Sequence, residues 1–524
     1  MTAPPHPFAP RQGAEVLGNR PSGISQVNSV YALSFRILGG ELMLTITDAR
    51  FAQGPACNRR DFLRIGSLGA LTLSGLLASK AKAAAERRSV LRNKSVVFLF
   101  LHGGPAQIET FDPKRDVPEN NRSCTGEVQT NLPGVWFGGT FPQLAQRADR
   151  VAVVRNFASR NGGHGALPVL TGGHRSGATM GAMYARGAGA FNARTGVPTN
   201  TVIIPESVMP SLRLGETSGT FGLGLINRDF GTSGSLGGPY RGFVRNGSAQ
   251  QLGNFTLAVP HEQFAERNHL RRRLDAMNRS VQIESGNDFE QQAHDLLVRG
   301  GIAEAFDLSK EDPRVIARYD TSHIFNMADY HQGGRHYLYQ GNRLIDQDRW
   351  TNQLGKELLL ARRLCEAGCG FVTVVDSCWD FHGRGMNNPG TIVGMNNLGA
   401  QLDHAVSAFL DDVQQRGLSD DILLVVTGEM GRSPIKQNAD AGTDHWGRST
   451  PLLVAGGGLK MGQVIGRTDR TGGQPAGEAY GPENLLATVL HTVFDATTAR
   501  LAPELLSPEV AGALLNNEPI KELF

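Results

Sequence analysis

After residue 90 the hydrophobic positions fall in continuous blocks rather than in alternation. Val96 to Leu101, Val151 to Val154, Phe371 to Val375, Ile422 to Val426 and Pro451 to Ala455 are each nearly free of polar residues. Runs this short and this apolar predict strands covered on both faces, as in a parallel sheet with helices on each side. Glu357 to Ala367 predicts a helix closed by Gly368. Leu398, Leu402, Ala405, Phe409 and Val413 recur at helical spacing and predict a long crossover helix stopped at Gly417. Leu485 to Phe494 predicts a closing helix. The order strand, helix, strand over residues 371–426 predicts a right-handed βαβ unit whose two strands lie side by side.

Other stretches predict less. From Arg186 to about Gly253 the chain is glycine-rich and weakly periodic, which predicts long loops around short strands. Phe264, Leu270, Leu274, Met277, Ala293, Leu296 and Leu297 return to helical spacing, so a helical insertion over about 256–330 is expected. Asp112-Pro113 predicts an ordinary turn.

Composition changes the picture at the amino end. The chain has 524 residues and a formal charge of +3, but residues 1–85 hold nine Lys/Arg against four Asp/Glu. The remainder is close to neutral and slightly acidic, so it offers no basic field for nucleic acid. Asn58-Arg59-Arg60-Asp61-Phe62-Leu63-Arg64 precedes a modest apolar segment, Ile65 to Leu77, and then small residues suited to cleavage near Ala85. This resembles a bacterial twin-arginine signal, so residues 43–85 are expected to be a signal peptide read by that export machinery. Residues 1–42 precede a second methionine, Met43, and read as an over-extended start. The product is expected in the periplasm or outside the cell, and no run reaches transmembrane length. Five cysteines without a CxxC pair suggest no disulfide framework. Cys365 and Cys369, in the helix ending at Gly368–Cys369, read as core packing.

The candidate chemistry sits where the strands end. The stretch Thr427 to Trp446 carries Glu429, Arg432, Asp444 and His445, with Gly428, Gly431 and Gly442 expected to let the backbone approach a ligand. Leu101 is followed by His102-Gly103-Gly104, Val154 by a loop holding His164, and Val375 by a loop holding Asp380 and His382. Ligands in open α/β sheets bind outside the carboxyl ends of strands. Carboxylates and imidazoles at this density suit a divalent ion such as zinc, manganese or calcium. The expected metal ligands are therefore His102, Asp380, His382, Glu429, Asp444 and His445. His382, Glu429 and His445 are expected within one coordination shell. Arg432 would face an anionic phosphate or sulfate oxygen, and His164 would act as base or as a further ligand.

These same stretches carry a family resemblance. FLHGGPAQIETFDPK (Phe100 to Lys114), NGGHG (Asn161 to Gly165), LLARRLCEAG (Leu359 to Gly368), WDFHG (Trp379 to Gly383), GEMGRSP (Gly428 to Pro434), DHW (Asp444 to Trp446) and Met461 to Gly466 occur in order. The chain from about Val96 to Phe494 resembles the exported bacterial family "domain of unknown function 1501", similar to the alkaline phosphatase and sulfatase superfamily. The resemblance implies an alkaline-phosphatase-like, mostly parallel sheet sandwiched by helices, over residues 86–524. It also implies a late metal histidine at His445 and an aspartate–histidine pair at Asp380 and His382. Two departures stand out. His102 occupies the place of the superfamily's first metal aspartate, and no Ser, Thr or Cys lies between Gly162 and Ala166, where the nucleophile would fall.

Two functions follow as expectations. One is an exported, metal-dependent hydrolase of phosphate or sulfate esters, acting on an anionic ester or a sulfated glycan without a covalent enzyme intermediate. The other is a catalytically inactive relative that binds an anionic glycan or a protein partner.

Overall fold

The computed structural model describes residues 90–209, 226–244, 301–324, 352–383 and 389–524, with short pieces at 31–38, 41–48, 338–339 and 343–344 and isolated positions between 260 and 270. Residues 1–79 and 80–524 form separate units. In the first, Tyr31–Leu38 pairs antiparallel with Glu41–Asp48. The twin-arginine stretch lies outside the described residues, as does most of the expected helical insertion.

An eight-stranded sheet forms the second unit. In chain order its strands are β1 (Ser95–Leu101), β2 (Val151–Val154), β3 (Asn200–Ile203), β4 (Phe243–Val244), β5 (Phe371–Asp376), β6 (Ile422–Thr427), β7 (Leu452–Gly456) and β8 (Gln463–Ile465). Their order across the sheet is β8-β2-β7-β6-β1-β5-β3-β4. All neighbours are parallel except those of β7, which runs against both β6 and β2. The mostly parallel α/β class is therefore observed.

Period-two geometry divides each apolar run between two cores. Val97, Leu99 and Leu101 of β1 face one side, and Val96, Phe98 and Phe100 face the other. The first side is covered by α2 (Leu354–Glu366) and α3 (Ala400–Gln415). The second is covered by α1 (Met180–Ala188), α4 (Pro482–Val493) and α5 (Pro508–Leu515). Each side chain so buried contributes roughly 1.5–3 kcal/mol relative to exposure.

Both helices on the first face end in the same way. Gly368 (φ 95°) and Gly417 (φ 70°) sit just past α2 and α3. Gly368 N donates to Cys365 O and Cys369 N to Leu364 O; Gly417 N donates to Gln414 O and Leu418 N to Val413 O. This paired pattern satisfies the last carbonyls and needs a left-handed residue, for which glycine has no steric cost.

Several expectations change. β5 and β6 are not adjacent, because β1 lies between them and pairs with both. The stretch after Arg186 holds the short strands β3 and β4, as expected, although α1 reaches into its start as far as Ala188. Cys369 lies beyond α2 rather than in it, although both it and Cys365 are buried. Asp112 is no ordinary turn residue. It is buried, accepts from Thr468 Oγ1, and its carboxylate lies 2.9 Å from Lys114 Nζ and 3.3 Å from Arg155 Nε. Of the expected insertion, helices at Gly301–Phe306 and Pro313–Arg318 are described, and Phe306, Val315 and Tyr319 pack into the first core. That segment is clasped by a buried ion network. Arg362 on α2 reaches Glu311 (2.7 Å), Glu366 (2.5 Å) and Asp412 (2.8 Å), and Arg416 reaches Glu311 and Asp412 as well.

Candidate metal centre at the strand ends

Because β1, β2, β5 and β6 are parallel, their carboxyl ends share one edge of the sheet. His102 follows Leu101 directly, and Glu429 lies two residues beyond the end of β6. Asp380 and His382 follow β5, and His164 lies on the loop after β2. Asp444 and His445 arrive differently. They precede β7, and because β7 runs the opposite way its entrance lies at that same edge. Gly431–Arg432 then pairs antiparallel with His445–Trp446, with Arg432 opposite His445. The eight residues singled out in the sequence thus come together at one place.

They fall into two groups with a shared member. His102, His164 and Glu429 form one, and His164, Asp380 and His445 the other. Within each group the available ligand atoms lie within 4.8 Å of one another. His164 belongs to both, and its two ring nitrogens face different carboxylates. Its Nδ1 is 3.3 Å from Glu429 Oε1, and its Nε2 is 3.5 Å from Asp380 Oδ2. The expected grouping of His382, Glu429 and His445 is therefore divided. Glu429 stands with His102 and His164, whereas His382 and His445 meet at Asp380 Oδ1, at 3.0 and 3.2 Å, with their Nε2 atoms 3.1 Å apart. Asp444 is the outermost member. Its side chain is 43% exposed and lies 3.4 Å from His382 Nδ1.

Burial sets the energetics. His102 and Glu429 are fully buried, and Glu429 Oε1 accepts from Gly103 N at 2.8 Å. Its other oxygen, Oε2, is buried without a hydrogen-bond partner among the described residues. An ionised carboxylate left half-satisfied in a dry interior is costly unless a cation compensates it. Burial works against the Glu429 charge, but His102 and His164 outweigh it and hold the carboxyl below its ordinary range. Burial likewise opposes the Asp380 charge. Hydrogen bonds from His164, His382 and His445, together with the Arg432 charge, prevail and hold that carboxyl far below the usual carboxylate range. For His164, burial favours the neutral ring, but its bonds to Asp380 and Glu429 raise the pKa to about 9. A buried carboxylate oxygen without a partner, set among imidazoles and a second carboxylate, is a donor set that fits a divalent ion of the zinc or manganese kind.

Arg432 takes a different place from the one expected. Its side chain is 1% exposed. Nε donates to Gly104 O at 2.9 Å, Nη1 to Thr443 O at 3.2 Å, and Nη2 to Gly103 O and Asp380 Oδ1. The guanidinium ties the exits of β1, β5 and β6 together instead of facing outward toward an anion. The glycines of this loop also serve protein contacts. A Cβ on Gly442 would lie 1.8 Å from His382 O, and one on Gly103 (φ 122°) would lie 2.6 Å from Trp379 N.

The sequence reading missed two features here. Phe230, within a stretch read as loop, stacks edge-on against His102 with ring centroids 6.1 Å apart. Cys378 holds a left-handed backbone (φ 73°) at the exit of β5. No periodicity announces either.

The comparisons with known proteins add the following. No curated protein matches the chain. Among solved structures, Ps i-CgsB, also solved in complex with k-i-k-neocarrahexaose, is 8% identical over 81% of this chain and 77% of that one, with a TM-score of 0.29. The PsFucS1 sulfatase from Pseudoalteromonas sp. is 12% identical over 79% and 71%, with a TM-score of 0.30. The phosphonate monoester hydrolase SpPMH from Silicibacter pomeroyi is 13% identical over 76% and 73%, with a TM-score of 0.29. Likenesses this slight do not bear on the chemistry. Residues 93–502 match the family described as "Protein of unknown function (DUF1501)", and the chain belongs to that family.

Proposed function

We propose that this protein is an exported, metal-dependent hydrolase of phosphate or sulfate esters. The observation that carries the reading is the unpartnered, buried Oε2 of Glu429 beside His102 and His164. Glu429, His102 and His164 would hold the ion, with Asp380 and His445 as the alternative set around the same imidazole; His382 and Asp444 would support that set from outside. A bound divalent ion would supply Lewis acidity toward the ester oxygen. The chain's own residues contribute orientation and proton handling. Asp380, kept ionised by three imidazoles and Arg432, fixes the rings of His164, His382 and His445. Arg432 is a positioning residue that keeps the three strand exits at their spacing. His164 stands between two carboxylates and would serve either as a ligand of the ion or, where it does not ligate, as the group that handles the proton. Gly162 to Ala166 offers no hydroxyl or thiol, so water is the nucleophile and no covalent enzyme intermediate forms.

One observation favours the second reading, a binding protein without turnover. The guanidinium that would clamp an oxyanion is buried against protein carbonyls. Metal analysis of the purified protein, with a screen of aryl phosphates, phosphonates and sulfates, separates the two. Metal at near one equivalent together with ester turnover supports the hydrolase. A folded protein that takes up no zinc, manganese or calcium and turns over no ester leaves the binding role. Export through the twin-arginine route is part of the proposal and rests on the Arg59-Arg60 leader. Among the described residues no helix is long and apolar enough to cross a membrane.

A further inference from the structure

Beside the metal centre the surface opens into a cleft of about 560 Å³, lined by Ala158, Arg160, Gly162, Gly447, Arg448 and Pro475 among others. Two of its walls are the loops that carry His164 and His445, and a third is the stretch from Gln474 to Ala479. Gly162 is two residues from His164, and its carbonyl lies 3.3 Å from His445 Nδ1. Gly447 follows the His445–Trp446 pair, and Arg160 N donates to Gly447 O at 2.8 Å, joining the walls. The volume far exceeds that of one tetrahedral oxyanion and falls within the roughly 300–1,000 Å³ common for small-molecule sites.

The two cations of the cleft are not equivalent. Arg160 Nη1 pairs with Glu483 Oε1 at 2.9 Å. The Arg448 guanidinium lies 5.5 Å from the Trp446 ring centroid, and it has no carboxylate partner among the described residues. A planar cation held over an aromatic face, with its donors uncommitted, suits a phosphate, sulfate or carboxylate group.

We propose that this cleft receives the remote part of the substrate, and that Arg448 binds a second oxyanion carried there. The substrate class is thus narrowed to an ester with at least two anionic groups, one presented to the imidazoles and one to Arg448. The inference rests on the hydrolase reading for the first group and on the cleft alone for the second.

The test uses the full chain and a disaccharide carrying two sulfates, compared with its singly sulfated counterpart, by titration calorimetry. The wild type is expected to bind the doubly sulfated sugar about 10-fold more tightly, as one charge-assisted contact warrants. Arg448→Ala is expected to erase that preference without changing the singly sulfated Kd, and Arg448→Lys to restore part of it. Equal affinity of the wild type for both sugars, or a preference that survives Arg448→Ala, overturns the cleft assignment. Glu429→Gln keeps the two readings apart. If it changes neither metal content nor ester turnover while the Arg448 effect persists, the assignment of the ion to Glu429 falls and the cleft stands; a wild type that takes up no metal and turns over no ester removes the hydrolase reading itself.

Discussion

At the scale of single residues, the site is decided by which groups lack an internal partner. Glu429→Gln removes the carboxylate whose buried Oε2 has no hydrogen-bond partner among the described residues. It is expected to lower divalent-metal affinity by at least about 10-fold, the lower bound set by loss of a group that merely supports a ligand, and to abolish any rise in Tm that metal produces. His404→Ala is the control. His404 sits on α3, with Nε2 2.9 Å from Arg318 O, away from the metal groups, so its loss is expected to leave metal content unchanged. The shared edge of His102, Asp380, His382 and Glu429 was legible in the sequence, because polar groups soon after apolar runs mark the ends of strands; Asp444 and His445, which precede β7, carry no such mark. The partnering of these groups was not legible. Nothing in GEMGRSP tells that Arg432 turns inward to four carbonyls and Asp380, or that His164 divides itself between two carboxylates. Those outcomes depend on how three loops meet.

At the scale of elements, the network joining α2, α3 and the segment 311–319 is the place to measure. Glu311 lies against Arg362, Arg363 and Arg416. Burial opposes its charge, but the three guanidinium groups prevail and hold its carboxyl below the ordinary glutamate range. A depressed carboxylate stabilises the fold above its unfolded pKa, and that stability is lost as pH falls through the folded value. Glu311→Gln is therefore expected to lower stability by about 3 kcal/mol at pH 7, as breaking a buried pair does. The gap to the wild type narrows below about pH 4, which chemical denaturation across pH would show. Helix ends were legible from Gly368 and Gly417. Strand adjacency was not: β5 and β6 are joined by one helix, yet β1, nearly 270 residues earlier in the chain, lies between them. Local pattern carries no information about which distant strand intervenes.

At the scale of the whole molecule, convergence of loops at one edge depends on close backbone approaches. Gly103→Ala adds a Cβ 2.6 Å from Trp379 N at a φ that side chains rarely adopt. It is expected to weaken metal binding and lower Tm together, because the exits of β1 and β5 must separate. The leader makes a prediction for the entire chain. Replacing Arg59 and Arg60 with Lys is expected to leave uncleaved precursor in the cytoplasm, read by fractionation and immunoblotting. Full export of that variant would remove the twin-arginine assignment. The antiparallel course of β7 was hidden in the sequence, since an apolar run reads alike in both directions, yet it is what brings His445 to the edge.

The position of His164 sets a limit on occupancy. A neutral imidazole has a single lone pair, so a ring that ligates an ion through Nδ1 keeps its hydrogen on Nε2, aimed at Asp380, and the reverse holds. Loading one group of ligands thereby blocks the other, unless the ring gives up its last proton. The two groups are rival addresses for one guest. Titration with zinc at neutral pH is expected to saturate at one equivalent, and a second ion would bind only against a marked negative coupling.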